Sequence, residues 1–345
     1  MLDENVKRNV RIRFVKEGVK EEPLTASVFR FPGVAGSSKI FRRVLQDAAI
    51  LAPTDTPVHL TGETGTGKDM LARALHMNSR RRNGPFVELN CGAVPEPLLE
   101  SELFGYVPGA FTGARKTGFK GKFATADGGT LFLDEICELS EGMQAALLKV
   151  LDHQRFTPIG AERETACDVR ILTATNSDLR KLVQIGKLRE DLYYRLYICP
   201  LVLPPLRSRR EDIGALIYWY KEKHAWAVSW TAAHEREMRH YDWPGNIRQL
   251  FHTLDRLRVF YPERLPEPEV LHGMIRLTDP RGFQEGAEDE ETAKLSYREG
   301  LERNRMKEAL EGAEGQVSVA MKQMGMARST FYRKMKKYGL DEWKM

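Results

Sequence analysis

The stretch GETGTGKD, residues 62–69, constrains the fold of this chain most, because it stands between the apolar run VHL and the amphipathic segment MLARALHM. It fits the pattern G-x4-G-K, in which glycines let backbone N–H groups point inward around phosphates and the lysine meets the β- and γ-phosphates. A helix that begins at the loop adds the positive end of its dipole. The pattern therefore predicts a strand, a phosphate-binding loop and a helix. The candidate nucleotide-binding residues of this loop are Gly62, Glu63, Thr64, Gly65, Thr66, Gly67, Lys68 and Asp69.

A plain glycine-rich turn between a strand and a helix is the alternative to a phosphate loop. The pattern usually has Ser or Thr after the lysine, whose hydroxyl is a metal ligand, and Asp69 stands there instead. The apolar run before the loop and the helical periodicity after it favour the phosphate loop over the turn.

Two adjacent acids, Asp134 and Glu135, follow the apolar run TLFL. An acid at the carboxyl end of a strand reaches the magnesium of a bound nucleotide, and the next acid can polarise the attacking water. A solvated acidic pair at a strand end is the alternative, which the phosphate loop earlier in the chain disfavours. The pair predicts hydrolysis of a nucleoside triphosphate, with ATP as the expected nucleotide and Mg²⁺ as the expected metal.

Short apolar runs alternate with segments of helical periodicity between residues 58 and 204. This alternation is typical of an α/β fold, in which helices cover both faces of a parallel sheet. After PPLRSRREDI the pattern is helical, which predicts a helical subdomain appended to the sheet. The strand candidates are VHLTG, FVELN, TLFLDE, VRILTATN and ICPLVLP.

Composition divides the chain further. The last part contains six Lys or Arg and no Asp or Glu between Gly315 and Leu340, so the mild net charge of +5 is concentrated there. The five predicted parts are a short N-terminal segment (1–30), an α/β subdomain (31–205), a helical subdomain (206–278), an acidic linker (279–292) and a helical C-terminal module (293–345).

The bulk properties of the 345 residues predict a soluble, folded protein, since 42% are hydrophobic, 29% are charged and no run of about 18 apolar residues occurs. The N-terminal MLDENVKRNVRIRF carries acids and lacks the apolar core of a secretory signal. Four scattered cysteines without a CxxC pair indicate reduced thiols. A cytoplasmic protein with no membrane partner is therefore expected.

Six longer motifs follow one another along the chain. They are GETGTGKD, ESELFGYVPGAFTGA, ADGGTLFLDEI, LREDLYYRL, LPPLRSRREDI and WPGNIRQL. Together they resemble the AAA+ domain of bacterial enhancer-binding proteins, the ATPases that activate RNA polymerase carrying sigma-54. The resemblance covers residues 30 to 270 and implies a AAA+ parallel-sheet P-loop ATPase with a helical lid subdomain. It extends into a small all-α helix-turn-helix domain at the C-terminus.

The resemblance implies a role for each matched polar residue at the nucleotide. Asp134 organises Mg²⁺ and Glu135 activates the attacking water. Asn90 restrains Glu135 until the site is engaged, and Asn176 is the sensor near the γ-phosphate. Asp69 stands where the family usually has Glu, so an acidic side chain is retained at this position.

Three arginines complete the implied site. Arg189 and Arg195 match arginines that reach into the nucleotide of a neighbouring subunit, where such a group can raise the rate about 10³–10⁵-fold. Arg248 matches a second sensor on the lid, although Gln249 stands where the family usually has Glu. Because two of the arginines act in trans, a ring is implied, and the resemblance makes it a hexamer.

Several of these residues have simpler alternatives. Asn176 could cap the helix that begins near Asp178. Arg189 and Arg195 could form surface ion pairs with the acids Glu190 and Asp191.

The segment GAFTGA is predicted to be a mobile tip that presents an aromatic side chain to a partner, because its glycines disfavour a helix. A surface turn whose Phe111 packs into its own domain is the alternative. The match to the family implies contact with sigma-54 that changes with the nucleotide state. The residues of this predicted contact are Gly109, Ala110, Phe111, Thr112, Gly113 and Ala114.

The C-terminal module resembles a helix-turn-helix of the factor-for-inversion-stimulation type, with a turn at Gly325 and a second helix that enters the major groove of DNA. Phe331 and Met335 are expected to pack within the module. An exposed basic amphipathic helix is the alternative. The predicted DNA contacts are Arg328, Ser329, Thr330, Arg333, Lys334 and Lys337.

The helix before this motif is predicted to pair two chains. The apolar residues named for this pairing are Leu295, Leu301, Met306 and Leu310. A dimer of this kind would bind two-fold related half-sites on double-stranded DNA.

These roles describe an activator that binds upstream, enhancer-like DNA and uses ATP hydrolysis to convert the closed complex of sigma-54 RNA polymerase holoenzyme into an open complex. A repressor or scaffold that does not act on sigma-54, and a AAA+ remodeller of other proteins, are the alternatives. GAFTGA together with the acid pair argues against the first, and the basic helix-turn-helix argues against the second.

Family members usually carry an N-terminal sensory domain, for which the 61 residues before the phosphate loop leave no room. Either a separate protein regulates this activator or the chain is a fragment.

Overall fold

A five-stranded parallel sheet forms the scaffold of the first part of the protein in the computed structural model. The structure describes residues 36, 38–276, 279, 302–303, 305–313 and 315–340. Each strand lies within a segment that the apolar pattern predicts. In the spatial order β2-β3-β6-β1-β7, the strands are β2 (Phe86–Asn90), β3 (Thr130–Asp134), β6 (Arg170–Thr175), β1 (Val58–Thr61) and β7 (Pro200–Val202).

Helices follow the strands as the alternation predicts, and the predicted α/β class is confirmed. The helices up to β7 are α1 (Lys39–Leu51), α2 (Lys68–Met77), α3 (Glu96–Phe104), α4 (Lys122–Thr125), α5 (Glu141–His153), α6 (Leu179–Gln184) and α7 (Glu190–Leu196). The later helices are α8 (Asp212–Lys223), α9 (Ala232–His240), α10 (Asn246–Phe260), α11 (Pro268–Arg276), α12 (305–312), α13 (Val317–Gln323) and α14 (Arg328–Lys337).

The three central strands of the sheet, β1, β3 and β6, are buried on both faces, which explains the consecutive apolar residues of β3. On β3, Leu131 and Leu133 belong to the apolar cluster on one face, and Phe132 belongs to the cluster on the other. All three are at most 2% exposed. Burial of one such side chain contributes roughly 1.5–3 kcal/mol to folding, so these two layers hold the strand ends that carry the polar residues of the site.

One small element escaped the sequence pattern. Strands β4 (Arg155–Phe156) and β5 (Thr165–Ala166) form a two-stranded antiparallel ladder between α5 and β6. Two residues per strand are too few to show an alternation of apolar and polar side chains.

The contacts of the described residues divide the chain into two compact units. The first contains the sheet and extends to His224, and it also includes Gly245–Arg248. The second contains Ala225–Pro244 and the chain from Gln249 onward. The predicted boundaries at residues 205, 278 and 292 stay predictions, and the linker falls almost entirely outside the described residues. Within the described part of the chain, no helix has the length and apolar character that crossing a membrane requires.

The C-terminal module has its own apolar core. Phe331 and Met335 are fully buried in it, as predicted. Met306 and Leu310 are also fully buried there, so the prediction that they pair two chains is wrong for these two residues. An apolar spacing of four cannot distinguish a helix that packs inside its own module from one that packs against another chain. Leu295 and Leu301, the other two residues of that prediction, lie outside the described residues.

Candidate nucleotide site and interaction surfaces

The polar residues predicted for the nucleotide lie where parallel strands end. The phosphate loop follows β1, Asp134 ends β3, and Asn176 follows β6. In the sheet, Asn90 at the end of β2 is directly paired with Asp134, and Thr61 is paired with Thr175. Because these strands are parallel neighbours, their carboxyl ends bring four chain segments to one edge, which is where ligands bind in open α/β sheets.

The phosphate loop has the backbone that its glycines predict. Gly65 and Gly67 adopt positive φ angles of 80° and 99°, and Gly67 precedes the first residue of α2. A Cβ atom on Gly65 would stand 2.4 Å from the carbonyl oxygen of Gly245 and 3.0 Å from the Cβ of Arg248. Arg248, the predicted second sensor, therefore borders the phosphate loop, and position 65 admits only glycine.

Lys68 is directed into the loop rather than toward solvent. Its side chain is 7% exposed, and Nζ donates hydrogen bonds to the carbonyl oxygens of Gly62 at 2.8 Å and Glu63 at 3.4 Å. Burial lowers the pKa of Lys68, while the carboxylates of Glu135 and Asp134 oppose the shift. A cation held between carbonyl groups and two acids has the surroundings expected of a lysine that receives phosphate oxygens.

Asp134 is a half-buried carboxylate with oxygen atoms suited to a hard cation. One oxygen accepts the backbone N–H of Glu135 at 3.0 Å, and the other faces Nδ2 of Asn90 at 3.4 Å. Asn90 in turn accepts the backbone N–H groups of Gly92 and Ala93. Mg²⁺ is commonly bound by one or two carboxylates together with substrate phosphates, which fits this donor. In this structure Asn90 donates to Asp134, and its predicted restraint of Glu135 stays a prediction.

Glu135 has a backbone conformation that few glutamates adopt. Its φ is 52°, in the left-handed region, at the junction of β3 with a short 3₁₀ turn. Oε2 of Glu135 faces the backbone N–H of Asn176 at 3.5 Å and Sγ of Cys137 at 3.9 Å. Strained backbone of this kind concentrates at functional sites, and here it aims a carboxylate at the end of the neighbouring strand.

Asn176 is brought to the phosphate loop. Its Nδ2 donates to Oγ1 of Thr64 at 3.3 Å. The cap of α6 is Asp178, whose carboxylate accepts the N–H of Arg180 at 3.0 Å, so the alternative that Asn176 caps this helix is wrong. The position beside Thr64 is compatible with the predicted sensor role.

Arg189 and Arg195 form ion pairs within their own chain. Arg189 pairs with Asp191 at 2.7 Å, which is one of the surface pairs considered above, and Arg195 pairs with Asp152 at 2.5 Å. Their side chains are 38% and 52% exposed. A shallow pocket of about 520 Å³ is lined by Arg189, Glu190, Asp191 and Tyr194. Both guanidinium groups thus lie on an open surface around α7.

Three residues that hold the phosphate loop were not predicted. Arg207 pairs with Glu63, Asn246 also contacts Glu63, and Arg209 donates to the carbonyl oxygen of Thr66 at 2.9 Å. Burial lowers the pKa of Arg209 to about 10. The motifs LPPLRSRREDI and WPGNIRQL contain all three, but spacing alone does not reveal partners that are more than 140 residues away.

The GAFTGA segment lies in a loop closed at its base by a backbone bridge between Tyr106 and Phe119. Phe111 is 47% exposed, and its ring stands edge-on to that of Tyr106 with centroids 4.9 Å apart. Gly109 and Gly113 both have positive φ. The aromatic side chain thus touches its own domain and still presents about half of its surface, and its contact with sigma-54 stays a prediction.

The second helix of the C-terminal motif, α14, carries the predicted DNA contacts. Gly325 has a φ of 62°, which confirms the predicted turn before it. Arg328, Arg333 and other polar residues of the helix are exposed. Lys334 differs, because its ammonium pairs with the carboxylate of Glu302, which also accepts the hydroxyl of Tyr338 at 2.8 Å. The predicted contact of Lys334 with DNA therefore competes with a bond inside the module.

Comparison with known proteins assigns domains over most of the chain. Residues 34–202 match the sigma-54 interaction domain, residues 207–287 match the AAA+ ATPase lid domain, and residues 297–338 match the bacterial regulatory protein, Fis family, domain.

The chain is also similar to individual regulators. It is 47% identical over 91% of its length to the acetoin dehydrogenase operon transcriptional activator AcoR of Bacillus subtilis, covering 52% of that protein. It is 36% identical over 97% of its length to the regulatory protein AtoC of Escherichia coli, covering 74% of that protein. The crystal structure of NtrX from Brucella abortus in complex with ATP superimposes with a TM-score of 0.65 and 31% identity, over 89% of this chain and 69% of NtrX. The chain thus spans about half the length of AcoR.

The sheet with its phosphate loop, the acid pair after β3 and the asparagine after β6 define a P-loop ATPase domain of the AAA+ class, which here precedes a helix-turn-helix module. The chain belongs to the family of sigma-54-dependent transcriptional activators.

Proposed function

We propose that this protein binds double-stranded DNA upstream of a promoter, assembles as a ring and uses ATP hydrolysis to convert the closed complex of sigma-54 RNA polymerase into an open complex. The observation that carries the proposal is that one domain contains both the hydrolytic residues and the GAFTGA loop. The strand that ends in Asp134 begins only a few residues after α4, and α4 follows the bridge that closes that loop. A conformational change at Asp134 and Glu135 can therefore reach Phe111 through a short segment of the chain.

In the proposed reaction, Lys68 and the N–H groups of the phosphate loop hold the β- and γ-phosphates of ATP. Glu135 orients and polarises the water that attacks the γ-phosphate, and Asn176 contacts the same phosphate from the end of β6. Asp134 would hold Mg²⁺, which neutralises developing negative charge on the phosphate oxygens. Asn90, which contacts Asp134 at 3.4 Å, would exchange this partner for Glu135 as the site changes state.

The ring is proposed because the ion pairs of Arg189 and Arg195 are with Asp191 and Asp152 rather than with the phosphate loop. Arg189, at the N-cap of α7, and Arg195, in its last turn, are exposed, and each pairs with an acid of its own chain. Solvent weakens exposed ion pairs, so a more strongly charged partner can displace them. In a hexamer these arginines would reach the ATP of the adjacent subunit and make hydrolysis depend on assembly.

The experiment is promoter melting by sigma-54 RNA polymerase with the purified chain, its upstream DNA and ATP. The unmodified chain should open the promoter only with ATP. Thr112→Ala should abolish opening while ATP hydrolysis continues, and Glu135→Ala should abolish both. Thr117→Ala, in an exposed threonine of the same loop but outside GAFTGA, is the matched control and should retain opening.

Two results would contradict the proposal. Hydrolysis without opening by the unmodified chain would leave a AAA+ remodeller of other proteins as the better assignment. Opening that survives Glu135→Ala would separate activation from hydrolysis and remove the proposed mechanism.

A further inference from the structure

Glu63 is one of the residues that tie the phosphate loop to later residues of its unit. Its carboxylate accepts two hydrogen bonds from Arg207, at 2.8 Å and 2.5 Å, in a bidentate pair. Its backbone carbonyl accepts Oγ1 of Thr66 at 2.7 Å and Nζ of Lys68 at 3.4 Å. The carboxylate of Glu63 thus binds Arg207, while its carbonyl oxygen binds the side chains of Thr66 and Lys68 within the loop.

Asn246, the first residue of α10, holds the same loop from a second side. The residue is completely buried, and its Nδ2 donates both to Oε2 of Glu63 at 3.2 Å and to the carbonyl oxygen of Thr64 at 3.0 Å. Its Oδ1 accepts the backbone N–H of Leu206 at 2.8 Å. The next residue, Ile247, donates its N–H to the carbonyl oxygen of Gly65 at 3.0 Å.

Asparagine is the side chain that meets all of these demands at position 246. The φ of Asn246 is 53°, and asparagine tolerates the left-handed region better than most residues. Its amide combines a donor for a carboxylate with an acceptor for an N–H, whereas aspartate would supply two acceptors and place a second negative charge beside Glu63. Because Asn246 is completely buried, its amide atoms are costly to leave without partners.

We propose that Glu63, Arg207 and Asn246 form a latch that sets the shape of the phosphate loop before the nucleotide arrives. This inference rests on the proposed function, in that the loop binds ATP. The three are positioning residues, since they hold the backbone that contacts phosphate. A loop held in its binding shape loses less conformational freedom on binding, so the latch raises affinity for ATP. It stabilises the bound substrate and the transition state alike, and its loss should raise KM with little change in kcat.

The test is titration of a fluorescent ATP analogue with Mg²⁺ into the unmodified chain and into Asn246→Asp. This variant keeps the acceptor for Leu206 and removes the donor to Glu63 and Thr64. Asn78→Asp is the matched control, because Asn78 also donates through Nδ2 to a backbone carbonyl, that of Ala74, at the end of α2. We expect Kd and KM to rise roughly tenfold in Asn246→Asp with kcat within about twofold. The control should match the unmodified chain.

Two further variants keep the test decisive if Asn246→Asp does not fold. Asn246→Gly retains the left-handed backbone and loses the side chain, and Glu63→Ala combined with Arg207→Ala measures coupling. The double variant should bind ATP no more weakly than Glu63→Ala alone, because that substitution already removes the ion pair with Arg207. Unchanged Kd in Asn246→Gly and additive effects in the double variant would overturn the latch. Failure of the unmodified chain to bind the analogue would instead overturn the proposed ATP site.

Discussion

Glu135 adopts a left-handed backbone that glycine would adopt without strain. We expect Glu135→Gly to have a higher free energy of unfolding than Glu135→Ala. Both variants lack the carboxylate, but only alanine retains a Cβ in the left-handed region. The difference should be about 1 kcal/mol in the free energy of unfolding, measured by chemical denaturation. Neither variant should hydrolyse ATP.

The comparison between the two variants removes the effect of the missing carboxylate. Equal stabilities of Glu135→Gly and Glu135→Ala would mean that the local backbone relaxes in solution. The strain argument would then fail, while the role of Glu135 in hydrolysis would be judged separately by the activity of the same proteins.

At the scale of one element, α14 contains adjacent basic residues in different situations. Arg333 is exposed, whereas Lys334 is bound to Glu302. We expect Arg333→Ala to weaken DNA binding and to reduce the slope of log affinity against log salt by about 1, as loss of a phosphate contact does. Lys334→Ala should leave the slope unchanged, because its ammonium neutralises a carboxylate of its own module. Binding measured from low to moderate salt checks both.

Glu302→Gln is the control for this pair, since it releases Lys334 without removing its charge. The slope should then increase in magnitude as Lys334 becomes able to reach a phosphate. A reduced slope in Lys334→Ala itself would show that the lysine leaves Glu302 when DNA binds, and the original sequence prediction would stand.

At the scale of the whole molecule, the exposed arginines and the phosphate loop should act in different chains of one ring. Lys68→Ala should lack ATP binding and Arg195→Ala should lack hydrolysis, so each purified variant should be inactive. Mixing them should restore part of the ATPase activity, because an Arg195→Ala subunit has an intact phosphate loop and can receive Arg195 from a Lys68→Ala neighbour. ATPase activity measured against mixing ratio should pass through a maximum.

A control mixture of Lys68→Ala with a Lys68→Ala, Arg195→Ala double variant contains no intact phosphate loop and should stay inactive. If the first mixture is also inactive while the unmodified chain hydrolyses ATP, then Arg195 does not act across subunits. The proposed ring would lose its main chemical argument.

Much of this protein follows from local patterns in the sequence. The strands of the sheet, the loop at Gly65 and Gly67 and the turn at Gly325 were all predicted, because apolar periodicity and glycine backbone preferences act over a few residues. The burial of Phe331 and Met335 followed from the same spacing. The electrostatic interaction of Lys68 with Asp134 also follows from a general rule, because the carboxyl ends of neighbouring parallel strands lie at one edge of the sheet.

Only the tertiary structure decided which polar groups are partners. Glu63 is 144 residues from Arg207 and 183 residues from Asn246, and no periodicity connects them. The bond of Asn90 to Asp134, the pairing of Lys334 with Glu302 and the burial of Met306 likewise depend on how elements pack. The sequence by itself determined the strands of the parallel sheet and where the phosphate loop lies. Packing determined the hydrogen bonds, because their energy depends on distances of about 3 Å that only the folded chain brings about.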